Sequence, residues 1–179
     1  MKHGPVRLLL DIACSASADP KQRQDAIPDL ALLLEKHSHL PDSEKNYREL
    51  LRPDLLDVYL DQADKTEIVA VLCRQLEKEP SKNGIIGQLL WALKKTDRAQ
   101  SLHALQSVVR CLLHNQLDDG EIWQGLLSIE VLSYSVENTH LSQLMPDLED
   151  LQARIVASGD TENRKAIENI FTRLSGRGL

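Results

Sequence analysis

Four aspartates, Asp54, Asp57, Asp61 and Asp64, follow one another at steps of three, four and three residues. On one continuous helix they share an arc of about 80°, opposite Leu51, Leu55, Val58 and Tyr59. A carboxylate ridge of that kind attracts a cationic partner, and a solvated helix face is the plainer alternative. It makes a poor metal site, because a straight stripe does not enclose an ion and no glycine turn gathers its oxygens. Two more acidic groups follow: Asp118, Asp119 and Glu121 in "DDGE", and Asp147, Glu149 and Asp150 in "PDLED". Asp118 and Asp119 also suit a turn and cap ahead of Ile122. If successive helix pairs stack, their loops fall along one edge, where these groups could merge into one negative surface.

Other residue types offer less chemistry. His37 and His39 flank Ser38 without the Cys, His or carboxylate set that completes a zinc site. His103, on a helix with Leu102 and Leu105, suits a partly buried, hydrogen-bonded histidine better than a ligand. Gly-x-Ser-x-Gly, the P-loop, HExxH and paired CxxC are all absent. "NGIIG" has too few glycines to cradle phosphate and suits a helix start. Cys14, Cys73 and Cys111 lie among aliphatic residues with no identifiable base, as reduced packing cysteines do. No catalytic residue, metal or cofactor is expected. Trp91 and Trp123 each sit in an apolar segment expected to be the first helix of a hairpin. Core packing is the default for both, and exposure on a concave face would instead make them partner anchors.

Helices must hold these residues. Of 179 residues, 42 % are apolar and 3 % aromatic; leucine dominates and β-branched runs are scarce, which favours helix over strand. Periodicity predicts helices over 5–16, 20–37, 65–77, 85–94, 97–114, 121–135, 139–157 and 161–174. One more starts near a Ser43 N-cap and runs to Leu60, with a kink or break at Pro53. Asp97, Asn138 and Asp160 stand where N-caps are needed. Connections are short and polar, so a single all-helical domain over 1–179 is expected, with 175–179 frayed.

A net charge of −6 and a pI near 5.5 oppose binding to phosphate backbones. The densest basic group is Lys94, Lys95 and Arg98, so no nucleic-acid partner is expected. No apolar run is as long as a membrane span, and Asp11 interrupts the run near the start that secretion would need. A cytoplasmic protein without a membrane partner is the expectation.

The apolar pattern recurs. Leu105, Val108, Val109 and Leu113 stand 37 residues after Ile68, Val71, Leu72 and Leu76. Leu102, Leu105 and Leu112 stand 39 before Leu141, Leu144 and Leu151. Both spacings lie close to the period of two-helix repeats. Pro-Asp-Leu also recurs, in "AIPDLALLLEKH", "LRPDLLDVYLDQ" and "LMPDLEDLQARI".

Residues 53–72, "PDLLDVYLDQADKTEIVAVL", resemble a HEAT repeat. Pro53 matches the proline of the first helix, Leu55 and Val58 its buried face, Asp61 the acidic turn, and Ile68 and Leu72 the second helix. The arginine usual near the start of that second helix is missing, and the prolines at 28, 53 and 146 are unevenly spaced. The resemblance implies an all-α, irregular stack of antiparallel helix pairs, a HEAT-like α-solenoid of roughly seven to ten helices. Residues 87–106, "GQLLWALKKTDRAQSLHALQ", would be one rung of it.

In general appearance the chain is similar to small acidic bacterial immunity proteins, which bind and neutralise a cognate toxin, often a basic nuclease. That similarity implies a non-catalytic protein-binding module with one basic macromolecular partner. An intracellular adaptor or scaffold of HEAT-like type is the alternative. Less favoured is a helical-repeat enzyme such as a chromophore lyase or DNA glycosylase. A glycosylase needs a basic groove and a buried carboxylate beside aromatic residues, which the charge and the few aromatics oppose.

Overall fold

The computed structural model describes residues 4–15, 17–38, 45–79 and 84–179. Among them the chain is all-α, with nine α-helices and no strand. These are α1 (Gly4–Cys14), α2 (Pro20–Lys36), α3 (Tyr47–Leu50), α4 (Gln62–Lys78), α5 (Ile85–Leu93), α6 (Ser101–His114), α7 (Asp119–Ser133), α8 (Asn138–Ser158) and α9 (Thr161–Gly176). Short 3-10 turns cover Pro53–Leu55 and Arg98–Gln100. The Ser43 cap and His39 lie outside the described residues.

Short polar side chains set the helix starts by accepting amide hydrogens that have no partner within the helix. Asp19 precedes Pro20 at the start of α2. Asp61 with Asp64, and Asp118 with Glu121, form reciprocal capping boxes on α4 and α7. Asp160 accepts from the Asn163 amide at 2.6 Å, and Asp97 caps the turn that leads into α6. Asn138, expected as a cap, is instead the first residue of α8. Its side-chain amide donates to the Arg177 carbonyl at 2.9 Å.

Packing follows a regular order. α1 packs on α2, α4 on α5, α6 on α7 and α8 on α9. In one row α1, α4, α6 and α8 touch in sequence; in the other, α2, α5, α7 and α9 do. Polar contacts fix the directions. Lys65 near the start of α4 meets Asp97 ahead of α6 at 2.6 Å. Arg154 near the end of α8 donates to the carbonyls of Leu112 and Asn115 at the end of α6. These three helices of the first row therefore run the same way. In the second row Glu35 at the end of α2 pairs with Lys95 just past α5. Asn163 at the start of α9 donates to the Asp119 carbonyl at the start of α7.

Most of the recurrent apolar positions are core, with Val71, Leu102 and Leu113 half-buried against it. Ile68, Leu105 and Leu144 are buried on α4, α6 and α8, as are Leu72, Val109 and Leu148 one turn later. Residues 87–106, expected to be one rung, instead join two pairs: α5 packs mainly on α2, α4 and α7 and makes few contacts with α6. The C-terminal segment, expected to fray, is tied down. Arg177 donates to the carbonyls of Ser133 and Val136, and Leu179 packs on the core.

Candidate functional site

The helix expected to carry the aspartate ridge does not form. Residues 51–61 make one 3-10 turn and then run extended into the Asp61 cap. Pro53 lacks an N–H and disfavours helix at Arg52. Asp57, Val58 and Tyr59 are weak helix formers. The end of α2 also claims the backbone that a helix would use. Lys36 Nζ donates to the Val58 carbonyl at 2.7 Å, and His37 Nε2 lies 3.4 Å from the Leu60 amide. Leu51, Leu55, Val58 and Leu60 are buried.

The acidic residues accordingly fall into different settings. Asp54 is exposed and bonded to Arg52 at 2.6 Å, which holds its carboxyl below the usual range. Asp57 is exposed. Asp61 is half-buried and Asp64 buried, each capping α4. Glu121 is buried in its capping box with Asp118, and burial raises its pKa. Asp118 and Asp119 are exposed at the start of α7, and Asp147, Glu149 and Asp150 are exposed along the middle of α8. Asp61 and Asp64 stand at the start of α4, and Asp118 and Asp119 lie past the end of α6, whose 14 residues span about 21 Å.

A different surface stands out. Trp123, Leu127, Val131 and Tyr134 follow at steps of four, four and three along α7 and just past its end, within an arc of about 80°. Trp123 is 38 % exposed, Val131 41 % and Tyr134 63 %, with Leu127 half-buried among them. The other sides of α7 are engaged. Gly125 abuts Leu112 of α6, Ser128 donates to the Leu90 carbonyl of α5 at 2.7 Å, and Glu130 pairs with Arg173 of α9. The stripe is the outward side of α7, between α5 and α9. Arg173 also donates to the Tyr134 hydroxyl at 2.8 Å. A cavity of about 290 Å³ opens beside Tyr134, Ile170 and Leu174. Trp91 on α5 is half-buried against the core, with Lys95 Nζ 5.4 Å from its ring centre. Both tryptophans sit in the second helix of their pair, where the first was expected. The signal in the sequence is that α7 carries more apolar residues than one buried face uses: Ile122, Trp123, Leu126, Leu127, Ile129, Val131 and Leu132.

Burial governs the chemistry of the thiols. Cys73 and Cys111 are buried, and burial pushes both thiols up to about 11. Near pH 8 only about one such thiol in a thousand is the nucleophilic thiolate. A polar thiol reagent should therefore label half-buried Cys14 first and reach Cys73 and Cys111 only after denaturant is added. Mass spectrometry of the native protein checks this order, and rapid labelling of all three contradicts it. His103 is exposed, where partial burial was expected. Among the described residues no group of three or more His, Cys, Asp or Glu is placed to hold a metal ion. No helix among them is long and apolar enough to cross a membrane. The chain matches no known family, no curated protein and no solved structure.

Proposed function

We propose that the protein is a non-catalytic protein-binding module, a short HEAT-like stack of helix pairs that holds one protein partner on the outward stripe of α7. The stack is supported by two rows of successively packed helices, with α4, α6 and α8 running the same way, and by core positions repeating at 37 and 39 residues. The observation that carries the binding role is the stripe itself. A contiguous apolar patch on a folded surface marks an interaction site, and tryptophan and tyrosine are the residues on which interface energy concentrates. An intracellular adaptor uses the same face.

A second reading keeps the immunity role and a basic toxin as partner. It is favoured by Asp147, Glu149 and Asp150, which are exposed and form no ion pair among the described residues. They lie on α8, in the other row. Charges there act mainly on association and fade with salt.

The test takes the partner that co-purifies with the wild-type chain and measures its binding to variants. Trp123→Ala should weaken it by about 2 kcal/mol or more, roughly 30-fold, with little change in melting temperature. A triple neutral variant, Asp147→Asn, Glu149→Gln and Asp150→Asn, should leave affinity at physiological salt nearly unchanged. If Trp123→Ala binds normally while the triple variant associates slowly, the α7 assignment fails and the basic-partner reading takes its place.

A further inference from the structure

The turn between α5 and α6 concentrates positive charge where local fields oppose it. Lys94 is half-buried beside Lys95, and both burial and that neighbour disfavour its charged form. Arg98 opens the helical turn leading into α6, and a cation at the positive end of a helix is repelled. Neither side chain has an ion pair or hydrogen bond among the described residues. The nearby carboxylates are already engaged: Glu35 by Lys95 and the Asn46 amide, Asp97 by Lys65. Arg98 thus has no ion pair among the described residues, and Lys94 has only the pull of a Glu35 already paired with Lys95, in a chain whose net charge is −6.

Lys94, Lys95, Thr96, Arg98 and Ser135 line a cavity of about 340 Å³, together with Ser38 and the Asp97 carboxylate that Lys65 holds. Thr96 Oγ1 is buried with no hydrogen-bond partner, an unfavourable state for a hydroxyl unless something completes it. The Ser135 hydroxyl also makes no hydrogen bond among the described residues. The simplest account is that the cations neutralise the carbonyl ends of α5 and α7. Those carbonyls are already served. The amides of Lys94, Lys95 and Thr96 donate to Leu90, Ala92 and Leu93, and Arg177 donates to Ser133 and Val136. The remaining charge is surplus to the fold.

We propose that this cavity binds phosphate, free or as the end group of a small phosphomonoester. Lys94 and Arg98 supply the charge, and the hydroxyls of Thr96 and Ser135 are the hydrogen-bonding groups beside them. A charged acceptor is what this set of donors matches. The proposal stands apart from the α7 stripe, because none of its groups belongs to that surface.

The experiment is a titration of the full chain, followed by backbone amide NMR, with inorganic phosphate and separately with glycerol phosphate. Ionic strength is held constant with chloride. Saturable shifts should centre on Thr96, Arg98 and Ser135 in at least one titration. A tighter monoester identifies an organic phosphate as the ligand, and the reverse order identifies free phosphate; either supports the site. The double variant Lys94→Gln, Arg98→Gln should bind at least tenfold more weakly. Thr96→Val, which leaves the charge unchanged, should bind several-fold more weakly. In phosphate-free buffer the double variant should melt no lower than wild type, because its charges are surplus to the fold. Non-saturating shifts, shifts spread over the surface, or full binding by a folded double variant would each overturn the proposal.

Discussion

Replacing Glu79 by alanine should lower the unfolding free energy by about 3–5 kcal/mol. Glu79 and Arg23 are both buried and face each other through two hydrogen bonds, one of them 3.0 Å from Nη1 to Oε1. Arg23 Nε also donates to the Ala13 carbonyl at 3.1 Å, and Gln75 donates to Glu79 at 2.6 Å. The cluster thus ties the end of α1 and the start of α2 to the end of α4. Alanine leaves the guanidinium buried without its counter-charge, and that uncompensated charge dominates the loss. The double variant Arg23→Met, Glu79→Leu removes both charges, so it should be more stable than Glu79→Ala. Urea denaturation with an unchanged slope checks both. A loss below about 1 kcal/mol for Glu79→Ala would put the pair in the class of exposed ion pairs.

The same kind of wiring recurs between elements far apart in sequence. Lys65 and Asp97 are 32 residues apart, Arg23 and Glu79 are 56, and Lys95 and Glu35 are 60. None of these pairs is legible in the sequence, because a lysine and a glutamate that far apart carry no mark of each other. Local features were legible. Asp118, Asp160 and Asp97 cap as their position ahead of apolar runs implied, and Cys73 and Cys111 pack where aliphatic neighbours placed them. The helices themselves follow from leucine periodicity.

Residues 51–61 misled because Leu51, Leu55 and Val58 keep a helical spacing that a 3-10 turn and an extended strip also bury. The deciding contacts come from Lys36 and His37 on another helix. Pairing misled for a related reason. Recurrence at 37 to 39 residues marks equivalent helices in one row, yet it is blind to whether α5 pairs with α4 or α6. Both connections are short and polar, and only packing breaks the tie. The outward stripe was hidden by abundance, since a helix apolar on most of its circumference does not announce which part stays exposed.

The approach of α7 to α6 at Gly125 offers a sharp test of that packing. Gly125 sits in the middle of α7, where glycine costs about 1 kcal/mol relative to alanine. A Cβ at this position would lie 2.6, 2.7 and 2.9 Å from Cδ2, Cδ1 and Cγ of Leu112 on α6. Three atoms of one buried leucine cannot all move aside within a filled core. Gly125→Leu should therefore destabilise the protein by about 3 kcal/mol, the upper end for overpacking, despite its better helix propensity. Leu112→Ala alone should cost about 2–5 kcal/mol by leaving a cavity. Combined, the large residue on α7 occupies the space vacated on α6, and the double variant should be more stable than the sum of the two losses predicts, by about 1–3 kcal/mol. Chemical denaturation of the four proteins measures this coupling directly. Additive losses would mean that the two side chains do not compete for one space, and the α6–α7 contact would have to be drawn differently.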